Sequence, residues 1–74
     1  MEELDPKNFT HKNATKAFRL WNVTHTKEGG YTHDDYTIHL WEDGGFTISE
    51  NDGEGFISLH GDIALNFRKL INKS

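Results

Sequence analysis

The sequence predicts an α+β domain: a small antiparallel β-meander of three or four strands, over about 17–26, 36–42, 46–50 and 56–60, packed on one face by a C-terminal α-helix over about 63–72. Three observations point to it. Short stretches between residues 17 and 60 alternate apolar and polar side chains at period two. Glycine-bearing turn sequences separate them, Asp43-Gly44-Gly45 and Asn51-Asp52-Gly53-Glu54-Gly55. Near the C-terminus the pattern changes to a helical period, with Ile63, Phe67, Leu70 and Ile71 at i, i+4, i+7 and i+8.

Residues 1–15 are polar. Beyond Met1 only Leu4, Phe9 and Ala14 are apolar, and Asp5-Pro6 is a turn or helix-start signal, so a loosely attached arm is expected ahead of a single domain over 16–74. From Ala17 to Thr26, Phe18, Leu20, Asn22 and Thr24 alternate with Arg19, Trp21, Val23 and His25, a strand whose buried face the pattern leaves open. Lys27-Glu28-Gly29-Gly30 begins a turn, and the polar run through Asp35 reads as a long mobile loop. The clearest strand is Tyr36 to Glu42, with Tyr36, Ile38 and Leu40 on one side and Thr37, His39 and Trp41 on the other. Phe46 to Glu50 and Phe56 to His60 complete two hairpins. Gly61-Asp62 supplies a break and an N-cap, while Arg68, Lys69 and Lys73 favour the C-terminal end of the helix dipole. The predicted core is Ile38, Leu40, Phe46, Ile48, Ile57 and Leu59 beneath Ile63, Phe67, Leu70 and Ile71.

Composition narrows the function. A chain of 74 residues allows one domain and buries only about 60% of its unfolded surface. It has no cysteine, so neither a disulfide nor a thiolate metal site reinforces it. The first twenty residues lack the apolar run of a signal peptide, and no stretch approaches a membrane span of about 18 apolar residues, so a cytoplasmic location is expected. A net charge of −4 argues against direct nucleic-acid binding through phosphate neutralisation. Protonating all five histidines would carry that charge to +1, which makes partner affinity between pH 7 and 5 a point of interest. No nucleophile elbow, P-loop, dinucleotide fingerprint or cysteine nucleophile is present, and a chain this short leaves little room for a pocket beside its core. No catalytic residue, metal ligand or cofactor is therefore assigned, and the protein is expected not to be an enzyme.

Two surfaces are candidates for contact with a partner. The sheet face away from the helix collects His39, Trp41, Thr47, Ser49, Phe56, Ser58 and His60, joined by Trp21, Val23 and His25, an aromatic and hydroxyl patch suited to binding. The competing reading is that the arm covers this face through Phe9 and Leu4 as a second small core. The second surface is an acidic end, where the 27–35 loop and the 50–55 turn gather Glu28, Asp34, Asp35, Glu50, Asp52 and Glu54. Turns favour such residues for solubility alone.

Glu50 to Ser58 resembles the front half of an EF-hand calcium loop, with oxygen donors at its positions 1, 3, 5 and 9 and Gly55 at 6. Position 12 is Gly61 rather than glutamate, and the flanks read as strands.

The resulting expectation is a small acidic protein-binding or inhibitor module that occludes a protein or protein complex. Domains of this kind are common among phage and mobile-element inhibitors of host nucleases and defence complexes, an argument by analogy. The alternatives are a small-ligand or metal sensor and a structural subunit that forms a homo-oligomer through its open sheet edges. Because the 50–58 segment reads as a hairpin turn, the melting temperature is expected to be unchanged in millimolar calcium. A calcium-dependent rise would reinstate the metal site.

Overall fold

The computed structural model describes residues 1–73. In chain order the elements are β1 (Glu2–Glu3), a 3-10 turn (Pro6–Asn8), β2 (Lys16–His25), β3 (Tyr31–Leu40), β4 (Phe46–Glu50), β5 (Phe56–Leu59) and α1 (Gly61–Asn72). The strands form one antiparallel sheet in the order β1-β2-β3-β4-β5. The α+β meander with a C-terminal helix is thus present, with one strand more than expected, because Glu2 and Glu3 of the arm pair with Arg19 and Phe18.

Directly opposed residues of antiparallel strands share a face, so register assigns the two sides. The row Ala17, His39, Thr47 and Ser58 lies on one side. The row Phe18, Ile38, Ile48 and Ile57 lies on the other, together with Leu40, Phe46 and Leu59. Helix α1 packs on this second side, where the rings of Phe46 and Phe67 meet at 5.4 Å and the Arg68 guanidinium stands 6.0 Å from the Phe46 ring. The predicted parity of Ile38, Leu40, Phe46, Ile48, Ile57 and Leu59 therefore holds.

Depth of burial corrects the expectation. On the helix side Phe46 and Ala64 are buried, but Ile57, Ile63, Leu70 and Ile71 are each more than half exposed. The most enclosed residues of the sheet lie on the opposite side, where Ala17 and His39 are 0% exposed. The arm produces this. Asp5 accepts a hydrogen bond from the Lys7 N–H, and Pro6, whose ring presets the backbone, opens the 3-10 turn. Backbone bonds from Leu4 N–H to the Ala17 carbonyl and from Thr15 N–H to the Leu40 carbonyl, each 2.8 Å, tie down both ends of the segment. Phe9, buried between them, meets His39 edge-on at 6.1 Å.

Two boundaries also move. The 31–35 stretch, expected in a mobile loop, continues β3, and the turn closes over 26–30 with the Thr26 N–H bonded to the Gly30 carbonyl. Asp34 and Asp35 disfavour strands by propensity, but Asp35 is satisfied here by its diagonal neighbour Arg19. At the helix start, His60 occupies the N-cap position without a side-chain capping bond, and Asp62 sits in the first turn. The His60 ring is directed instead to Asp43, 3.0 Å away. Gly45 makes that approach feasible, since a Cβ there would collide with the Leu59 carbonyl and the His60 ring. Its neighbour Gly44 takes φ +88, the left-handed conformation that the tight turn requires.

Phe46 is a large buried apolar side chain of the sheet that meets both Phe67 and Arg68 of α1. Phe46→Ala is expected to cost about 3–5 kcal/mol in urea unfolding, enough to unfold much of a domain this small. A loss below about 1 kcal/mol would show that the helix contact is not the core.

Candidate functional site

The face opposite α1 is divided by the arm into a covered part and an open part. His39 is in the covered part. Its Nε2 lies 3.3 Å from the Thr10 hydroxyl, the His11 ring meets it edge-on at 4.7 Å, and Trp41 stacks beside it at 6.2 Å. Among the buried side-chain nitrogens and oxygens of the described residues, His39 Nδ1 has no hydrogen-bond partner. With the proton on Nε2, donated to Thr10, a lone pair rather than an N–H is left unpaired, the less costly arrangement. Burial, and secondarily the nearby His11, hold the pKa of His39 below the ordinary histidine value. His39 was expected on the exposed face; it is instead core, reachable by a partner only if the arm leaves.

Beyond the arm the face opens into a hollow of about 480 Å³ lined by His11, Trp41, Thr47, Ser49, Phe56, Ser58 and His60, together with Glu50, Glu54 and the glycines of the β4–β5 turn. Sequence reasoning left little room for a pocket of this size. The hollow exists because it is open at the surface, between arm and hairpin, rather than enclosed within the small core. Its hydrogen bonds fix the walls: Trp41 Nε1–H donates to Thr47 Oγ1 at 2.8 Å, and Thr47 shares a further bond with Ser58 Oγ. His11 meets Trp41 edge-on at 5.6 Å, while His60 tilts toward it at 6.5 Å. Phe56 is 73% exposed, a large apolar ring left in water at the mouth. His60 is held by Asp43, whose carboxyl is kept below the usual range by the Gly45 N–H and by His60.

Trp21, placed on this face by its parity, is not part of the hollow. It stands on the β2–β3 ribbon with the Arg19 guanidinium 5.1 Å from its ring centroid.

The acidic residues divide between two hollows. Glu54 belongs to the aromatic hollow, Asp34, Asp35 and Asp52, with His33, surround a second hollow of about 230 Å³, and Glu50 lines both. Glu28 lines neither of these two hollows. Asp35 is a structural residue. Arg19 donates to it from Nε at 2.9 Å and Nη2 at 2.6 Å, and Asn51 Nδ2 donates at 2.7 Å. Those donors lower its pKa to about 2. The His33, Asp35 and Asp52 ligand atoms lie within 4.8 Å of one another. The Arg19 guanidinium already neutralises Asp35, so a divalent cation there would face an existing positive charge. The donors of the EF-hand-like segment diverge: Asp52 pairs with His33, Glu54 lines the aromatic hollow and Ser58 bonds Thr47.

No protein-family model matches this chain, and no curated protein or solved structure does so. The site's meaning therefore rests on its own geometry. His11, which no local pattern marks, and Asn51, marked in the sequence only as a turn residue, both act through contacts with residues distant in the chain.

Because folded His39 binds a proton less readily than an unfolded histidine, its neutral form favours the fold fully above about pH 6.5. That contribution is lost as pH falls below this value. His39→Gln keeps a neutral donor toward Thr10 and is expected to flatten the decline in melting temperature between pH 7 and 5. An unchanged pH slope would show that His39 is not the group responsible.

Proposed function

We propose that this protein is a binding module that occludes a protein partner, and that the aromatic hollow receives a basic side chain of that partner. One observation carries the reading: Trp41 and the largely exposed Phe56 line an open hollow of about 480 Å³ to which Glu54 and Glu50 of the β4–β5 hairpin also contribute. Aromatic faces attract lysine and arginine cations, and adjacent carboxylates reinforce them. Tryptophan anchors in desolvated pockets dominate the energetics of many interfaces. Trp41 is also pre-positioned by its bond to Thr47, which lowers the entropy lost on binding. The net charge of −4 acts in the same direction by steering basic surfaces toward the domain and phosphate backbones away. Inhibition of a nuclease or defence complex is the mode of action proposed by analogy with other small acidic domains.

The hollow's volume favours one alternative, a small-ligand module, because it falls within the roughly 300–1,000 Å³ of small-molecule sites. That reading predicts a melting temperature that rises with the concentration of a metabolite and needs no macromolecule.

Affinity capture with the intact chain tests the leading reading. Trp41→Ala and Phe56→Ala are each expected to weaken partner capture at least tenfold with circular dichroism preserved, and Glu50→Lys/Glu54→Lys to abolish it. Capture that is indifferent to all of these variants places the contact elsewhere.

A further inference from the structure

We infer that a second copy of this chain docks on the apolar flank of α1, forming an antiparallel two-fold helix pair on the side of the sheet away from the aromatic hollow. The helix is rolled with respect to its own apolar stripe. Ala64, buried, and Arg68, over Phe46, are turned toward the sheet, whereas Ile63, Phe67 and Leu70 run along a line about a quarter turn around the helix from Ala64. Ile63 and Leu70 are consequently 65% and 67% exposed, and Ile57, on the same side of the sheet, is 53% exposed.

The surface area gives the amount to be covered. The chain exposes 5822 Å², where a compact monomer of 8.5 kDa exposes about 4,700 Å². Its radius of gyration of 14.2 Å likewise exceeds the roughly 11 Å of a compact domain of this length. The excess of about 1,100 Å² is comparable to the roughly 800 Å² that each partner buries in a stable interface. Part of it belongs to the β2–β3 ribbon, and Ile63 and Leu70 of the helix flank, with Ile57 on the same side of the sheet, supply an apolar share.

Charge selects the occupant. Asp62 near the start of α1 and Lys69 and Lys73 near its end lie along one border of the apolar stripe. A two-fold axis passing close to Phe67 sets Asp62 of one copy beside Lys73 of the partner subunit and opposes the two helix dipoles. The surface is thus complementary to itself, as an isologous interface requires. Salt bridges at such a border set orientation and register more than affinity.

Sedimentation velocity of the full chain from low to high micromolar concentration tests this. The wild type is expected to move toward twice the 8.5 kDa monomer mass with rising concentration. Ile63→Glu/Leu70→Glu is expected to remain monomeric with unchanged circular dichroism, because both side chains are exposed. Asp62→Lys is expected to weaken association and Asp62→Lys/Lys69→Glu/Lys73→Glu to restore it, which reports on the interface without altering an apolar residue. A wild type that stays monomeric throughout overturns the inference. So does a dimer that persists in Ile63→Glu/Leu70→Glu, as pairing of the exposed β5 edges would produce. Trp41→Ala leaves this interface intact, so failure here and failure of partner capture are separable.

Discussion

The docking of residues 9–11 over His39 decides what this protein presents to its surroundings. A five-stranded sheet with one helix has a second face, and in a chain of 74 residues there is little left to cover it. Phe9 and Thr10 close the part around Ala17 and His39, at the cost of enclosing an imidazole with one unpaired nitrogen. Where the arm stops, the same face remains open, and His11 becomes one wall of the hollow beside Trp41. Core and candidate site are therefore adjacent stretches of one surface, separated only by how far the arm reaches.

A second constraint fixes the acidic end. Arg19, Asp35 and Asn51 tie β2, β3 and the β4–β5 turn together, and the Asn51 N–H adds a backbone bond to the Asp35 carbonyl. This network lets an Asp-rich stretch run as strand and aligns the turn that carries Glu54 against the hollow. It also removes Asp35 from the carboxylates open to a partner. The folded domain thus commits one acid to architecture and leaves Glu54 lining the aromatic hollow, Asp34 and Asp52 around the second one, and Glu50 between the two.

The two faces differ in what they lack. On the hollow side, the exposed group is a large aromatic ring in a hollow that also contains glutamates; on the helix side, it is an aliphatic stripe bordered by charges of both signs. The first arrangement suits a basic side chain, the second another apolar helix of opposite direction. A domain that buries few large apolar side chains has limited stability of its own, so whatever binds the folded state would raise that stability by mass action.

Alternation at period two, the glycine turns and the terminal helical period were sufficient to determine β2 to β5 and α1 as elements, their meander order and which of their side chains share a face, but not the short β1. These are local properties, set by backbone geometry and nearest-neighbour spacing. The same reasoning placed Trp41, Thr47, Ser49, Phe56, Ser58 and His60 together, six residues that do line one hollow. Only the tertiary structure decided that His39 is buried, that Asp34 and Asp35 lie in a strand, that Trp21 stands apart and that α1 leaves Ile63 and Leu70 in water. Each of these depends on contacts between segments far apart in sequence, the arm on β3, Arg19 on Asp35, the helix on Phe46. Their strength follows from how surfaces meet, which residue spacing along the chain does not encode.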